Sequence, residues 1–319
     1  MTDRHIFWRC FLLVPLALAV VYFMRIQHRG PFQSPRSIDI ASRALIIEDR
    51  EVDDGRVSTL HKEQKSYLHS MVEAGVCEHL YLDLGTNVGV SIRKVYEPQY
   101  YPRAPLIHKF DTSFGVNRTR VCSVGFEPNA VHVERLQTLQ KSYRRAGFPT
   151  VIFTSTALAA QAGVLKFFRT PGQTEEGSSV IERLEGSEFD EAIAVDTDAF
   201  LNSLFQLWHS SASYSPASRV LAKMDIEGSE YFVLPRMFAG GSLCHISEMT
   251  VEWHPDILTK GAARHGPTYA ADMLSEWKAS GMCPSFSLIQ LDDESYAVDP
   301  GPLPTHHSNF LQWLPADAF

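Results

Sequence analysis

Three short stretches hold residues whose types and spacing suit chemistry on a small ligand. Asp83-Leu84-Gly85-Thr86-Asn87-Val88-Gly89 follows an apolar run and opens a helical pattern. Its two glycines permit a tight turn and close backbone approach, and a helix amino end offers free N–H groups to a polar ligand. Three residues separate those glycines, so this is not the dinucleotide G-x-G-x-x-G pattern. Gly125-Phe126-Glu127-Pro128-Asn129 puts a carboxylate at the tip of a second apolar run. Doubly wound folds grip the two hydroxyls of a ribose there. Lys223-Met224-Asp225-Ile226-Glu227-Gly228-Ser229-Glu230 supplies three acids in six residues. Strand alternation predicts Asp225 and Glu227 on one side, where they could hold a substrate, take a proton or coordinate a divalent cation. His254, within Glu252-Trp253-His254-Pro255, is a candidate general base at the same crevice. The plainer alternatives are first-turn helix acids for Glu127, Glu227 and Glu230, and a hydrogen-bonded strand-end ring for His254.

Positioning these residues requires strands that end together. His79–Leu84, Val121–Glu127, Thr150–Thr154, Val220–Ile226, Ile246–Trp253, Phe286–Leu291 and Asn309–Leu314 read as strands. Helical patterns run from Leu60 to Gly75, over Val88–Glu97, from Pro128-Asn129 to Gly147, and over Met273–Ala279. Alternating elements of this kind predict a parallel α/β sheet with helices on both faces and a ligand crevice at its carboxyl edge. Glu127 follows Asp83 by 44 residues, against roughly 20 in a dinucleotide site. Residues 98–120 read as an inserted loop that makes up the excess.

In this order, YLDLGTNVG, VGFEPNA, Ala157–Phe168 (ALAAQAGVLKFF) and KMDIEGSEYFVLPRM resemble the successive motifs of the FkbM-type methyltransferases. The likeness covers residues 65–319, and the DxEGxE stretch is its most specific part. It implies a Rossmann-like, seven-stranded class I methyltransferase sheet, S-adenosylmethionine as cofactor, and O-methyl transfer. It also implies that Asp83, Gly85, Thr86, Asn87, Gly89, Glu127 and Asn129 contact the cofactor, with Glu127 on its ribose. Asp225 and Glu227 would border the reaction site. Thr86 replaces the usual alanine, and Val195-Asp196-Thr197-Asp198 stands where an LDD-type segment is common.

Composition sets the surroundings. The 319 residues carry a formal charge of −8; a local +3 in the first thirty leaves −11 for the rest, which argues against a nucleic-acid-coating surface. Ile6–Met24 is 19 residues interrupted only by Arg9, close to the roughly 20 that cross a bilayer. A cleaved signal peptide with Ala17-Leu18-Ala19 at its end is the closest rival. The expected organisation is a short cytosolic tail (1–5), a signal anchor (6–26), a stem (27–57) and a catalytic domain (58–319). The domain would lie in the lumen of the secretory pathway, in the Golgi, with the membrane contacted through 6–26. There Asn117-Arg118-Thr119 is the single N-glycosylation acceptor. Cys77, Cys122, Cys244 and Cys283 could form two disulfides in any of three connectivities, or remain buried thiols. No Cys/His spacing suggests zinc, and no metal ligand is assigned, although the need for a divalent metal is left open.

The expected activity is therefore O-methylation of a sugar or glycan hydroxyl. One rival is a Golgi nucleotide-sugar glycosyltransferase using the acids of Asp196-Thr197-Asp198; another is a non-catalytic lumenal binding protein on the same scaffold. Acceptor identity and oligomeric state are not legible in the sequence.

Overall fold

A computed structural model describes residues 46–48, 55–170, 178–182, 187–258 and 266–293. The expected membrane span, the last expected strand and most of the expected stem lie outside these. Among the described residues, no helix is long and apolar enough to cross a membrane.

Six apolar runs become the strands of one parallel sheet. They are β2 (His79–Leu84), β3 (Val121–Glu127), β4 (Thr150–Thr154), β8 (Val220–Met224), β9 (Glu248–Val251) and β10 (Ser287–Gln290), in the order β10-β9-β8-β2-β3-β4. Strands buried on both faces can be apolar throughout, and β3, β4 and β8 are buried at every position. The chain winds outward from β2 through β3 to β4, then returns on the other side through β8. The order therefore reverses between β2 and β8, which is where open α/β sheets gather ligands.

Helices cover both faces. Leu80, Leu82 and Leu84 share one core with Leu68 of α1 (Gly55–Glu73), Phe205 of α5 (Thr197–His209), Val233 of α6 (Glu230–Gly240) and Met273 of α7 (Gly266–Ser280). Tyr81 points the other way, among Ile92 of α2 (Val90–Tyr96), Phe110 of α3 (Pro105–Phe114) and Leu139 of α4 (Val133–Arg145). The mixed α/β, Rossmann-like architecture is as expected.

Residues 98–120 are not a loop. Pro105 occupies the first turn of α3, where its fixed φ and missing N–H are tolerated. Leu106, Phe110 and Phe114 are buried, and the Phe110 ring meets Tyr81 edge-on with centroids 4.9 Å apart. Arg118 then turns back to donate to the carbonyls of Lys94 and Val95 at the end of α2.

A second, four-stranded sheet was also not anticipated. It orders β1 (Ile46–Glu48), β6 (Gly163–Phe168), β7 (Phe189–Asp196) and β5 (Thr156–Ala159) as β1-β6-β7-β5. Only Ser155, at φ +51°, separates β5 from β4, so the chain passes from one sheet into the other at that residue. Strand β1 comes from the stretch expected as stem and pairs antiparallel with β6. Two disulfides select one connectivity. Cys77–Cys122 ties the entry of β2 to β3, and Cys244–Cys283 ties the approaches to β9 and β10.

Candidate active site

The carboxyl edge of the sheet opens into a crevice at the β2/β8 reversal. Gly85, Asn87, Glu127, Asn129, Asp225 and Glu227 line it. One wall is the turn after β2. Gly85 adopts φ +100°, and a β-carbon there would lie 1.8 Å from the carbonyl oxygen of Asp225, so only glycine lets the two loops close. Asn87, at φ +49°, points its N–H at Glu127 Oε2, 2.6 Å away. Asn129 N–H donates to Glu127 Oε1 at 2.8 Å, and the Asn129 side chain caps the following turn by accepting from Val131 N–H. Glu127 is thus fixed at the tip of β3 by two main-chain donors. Burial nevertheless pushes its pKa up to about 7; the donors oppose the rise, and the charges of Asp83 and Asp225 add to it.

Three residues expected at the cofactor support the turn from behind and do not line the crevice. Asp83 faces away with Tyr81, whose hydroxyl donates to Asp83 Oδ1 at 3.0 Å; alternation from Leu82 and Leu84 dictates that side. Burial lifts Asp83 to about 6, opposed chiefly by Lys223. Thr86 Oγ1 donates to the Asp83 carbonyl at 3.1 Å. Gly89 starts α2 at φ +90°, where a β-carbon would strike Leu139.

The opposite wall is the loop leaving β8. That strand stops at Met224, so Asp225 and Glu227 do not meet by strand alternation. A left-handed Glu227 (φ +53°) and Gly228 (φ +96°) turn the chain, and Ser179 Oγ donates to the Glu227 carbonyl at 2.6 Å. Glu230, fully buried, holds the loop by accepting from Ile226 N–H and Gly228 N–H, each at 2.8 Å. Lys223 Nζ donates to Asp225 Oδ2 at 2.7 Å. Burial favours the neutral acid, but Lys223, His254 and Lys94 hold Asp225 below the ordinary carboxylate value.

His254 leaves β9 into this cluster. Its Nδ1 lies 3.0 Å from Glu230 Oε1. Its Nε2 is 3.7 Å from Asp225 Oδ1, 3.8 Å from Glu227 Oε2 and 3.5 Å from Glu252 Oε1. Burial works against a charged ring, yet the hydrogen bonds to Glu230 and Glu252, with the charges of Glu230 and Glu227, push its pKa up to about 11. His254, expected as a general base, thus stands between the acids that follow β8 and Glu252 beyond β9.

Compared with protein-family models, curated proteins and solved structures, the chain gives no significant match. The crevice itself is therefore the ground for a functional reading.

Asp225, Glu227 and His254 each bring one potential ligand atom within 4.8 Å of the others. Lys223, Glu230 and Glu252 belong to the same cluster; the first and last had no expected role, and their signal was proximity to the motif acids. The triplet Asp196-Thr197-Asp198 does not join it. Asp196 caps α5 through Ala199 N–H and pairs with Arg236, while buried Asp198 accepts from Ser242 N–H.

Proposed function

We propose that the chain is an FkbM-type, S-adenosylmethionine-dependent O-methyltransferase with a class I sheet, acting on a sugar or glycan hydroxyl in the lumen of the secretory pathway. The observation that carries this reading is Glu127, held at the tip of β3 beside the Gly85–Asn87 turn, in the crevice where strand order reverses. Each Glu127 oxygen accepts one main-chain N–H and has a second lone pair for a ribose hydroxyl. The acids on the far wall, Asp225 and Glu227, suit a cationic sulfonium between the walls. The seventh strand, expected at Asn309–Leu314, falls outside the described residues. Two disulfides support an oxidising compartment.

Methyl transfer asks little covalent chemistry of the protein. S-adenosylmethionine held by Glu127 and the Gly85–Asn87 turn would supply an electrophilic methyl group, and Asp225 would take the proton of the acceptor hydroxyl. Most of the acceleration comes from holding the two reactants in line. Glycans released from cells expressing the full-length chain should contain O-methylated sugars by mass spectrometry, and cells expressing Asp225→Asn should lack them. Manganese-dependent turnover of a UDP-sugar without any O-methylation would contradict the reading.

A further inference from the structure

Three potential ligand atoms converge from the ends of two neighbouring strands: Asp225 Oδ1 and Glu227 Oε2 after β8, and His254 Nε2 after β9. Neighbouring ligands around a cation at about 2.1 Å stand about 3 Å apart. The two separations from His254, 3.7 and 3.8 Å, and the carboxylate pair within 4.8 Å would close to that spacing by inward rotation of the side chains.

What surrounds these atoms fixes their aim. Lys223 holds Asp225 Oδ2 at 2.7 Å, turning Oδ1 towards the imidazole. Glu230 Oε1, 3.0 Å from His254 Nδ1, takes that nitrogen's proton side and leaves Nε2 facing the two carboxylates. Glu230 is itself pinned by the N–H groups of Ile226 and Gly228. A carboxylate behind a histidine, orienting its far nitrogen, is the outer-shell arrangement of metal-bound imidazoles. Counting Glu252, four carboxylates face one ammonium and one imidazole within a few ångströms, an excess of negative charge that a dication offsets.

We propose that Asp225, Glu227 and His254 bind one divalent first-row cation, with Mn2+ as the matching chemistry, and that its open positions receive two adjacent oxygens of the acceptor. Two carboxylate oxygens and one imidazole, with no thiolate, suit a hard-to-borderline ion; the carboxylates match Mn2+, which accepts a single imidazole more readily than the harder Mg2+ does. Three protein ligands leave three of six positions open. Asp225 and Glu227 line the crevice, so those positions face the acceptor. On entering, the cation takes the place of the proton on Nε2, which is released. The acceptor class, which rests on the methyl-transfer reading, is then a vicinal diol or a hydroxy acid. Such a molecule chelates through two oxygens, one of them the hydroxyl whose acidity the cation raises.

Full-length protein titrated with Mn2+, followed by loss of the free-ion electron paramagnetic resonance signal, should take up one ion per chain. Glu227→Gln and His254→Gln should each weaken uptake at least about tenfold, and Glu230→Gln, a positioning change, about 10- to 100-fold. Asp196→Asn should bind as the parent does. Circular dichroism on each variant separates lost ligation from lost fold, and the isosteric Glu227→Gln serves if His254→Gln does not fold. No Mn2+ uptake by the parent, or uptake unchanged in folded Glu227→Gln, would overturn the site. S-adenosylmethionine titrated into the same samples keeps the two claims apart. Cofactor bound without Mn2+ defeats the cation site alone, and Mn2+ bound without cofactor defeats the methyl-transfer reading alone.

Discussion

At the scale of single residues, Glu127 combines burial with a functional carboxylate. Between the ordinary 4.5 and about 7, the folded protein keeps a proton that the unfolded chain has already released. The Glu127 contribution to stability therefore falls as pH rises through that window, by about 3 kcal/mol, while Asp83 below pH 6 and His254 above pH 6.5 add declines of the same sign. Urea denaturation from pH 4 to 8 should show a decline that is shallower in Glu127→Gln than in the parent; an identical slope in the two would contradict the raised pKa of Glu127. Ribose hydroxyls donate to the ionised form, so cofactor affinity should strengthen as pH rises through 7 in the parent and lose that dependence in Glu127→Gln. Glu127 was legible in the sequence because its role needs only a strand end and a following helix. The place of Glu230 was not, because it depends on a turn folding back so that its carboxylate meets Ile226, Gly228 and His254. Asp83 sits between these cases: Leu82 and Leu84 mark one face of β2, so the opposite face was readable for Asp83, although the family resemblance implied a cofactor contact.

Among the elements, the parallel strands were the most legible, since continuous apolar runs flanked by Gly, Pro and Asn have few other uses. Helix α3 was hidden because residues 98–120 read as an inserted loop, although Pro105 in the first turn starts a helix well. The contribution of α3 to the core is testable. Phe110 is fully buried against Tyr81 and Phe114, so Phe110→Ala should destabilise by about 3–5 kcal/mol in urea. A loss below about 1 kcal/mol would mean that α3 is not part of the core. The small sheet escaped notice for another reason: β6 and β7 are only partly buried, so their alternation is faint. Its strand β5 nonetheless brings Thr156, Ala157 and Leu158 to the crevice wall.

Across the whole molecule, the two disulfides close loops of 45 and 39 residues in the chain. Loop-closure entropy assigns each about 4 kcal/mol, with 2–4 typical of measured values. Replacing Cys77 and Cys122 together by alanine should lower the melting temperature by several degrees and remove the sensitivity of that bond to reductant. Equal melting curves with and without dithiothreitol in the parent would contradict the pairing, and with it the support for a lumenal domain. Asn117, the expected glycosylation acceptor, is exposed after α3. Which cysteines pair could not be read from spacing, because the connectivity follows from β2 lying beside β3 and β9 beside β10.

All these scales meet in the crevice, and its most direct test is calorimetric titration of the full-length chain with S-adenosylmethionine at pH 7.5. Saturable binding with one cofactor per chain is expected, reduced at least about tenfold in Glu127→Ala, since removing a charged hydrogen-bond acceptor loses on the order of 1.5–3 kcal/mol. Asp225→Asn should retain the cofactor. Absence of binding to the folded parent, or binding indifferent to Glu127→Ala, would contradict the methyltransferase reading.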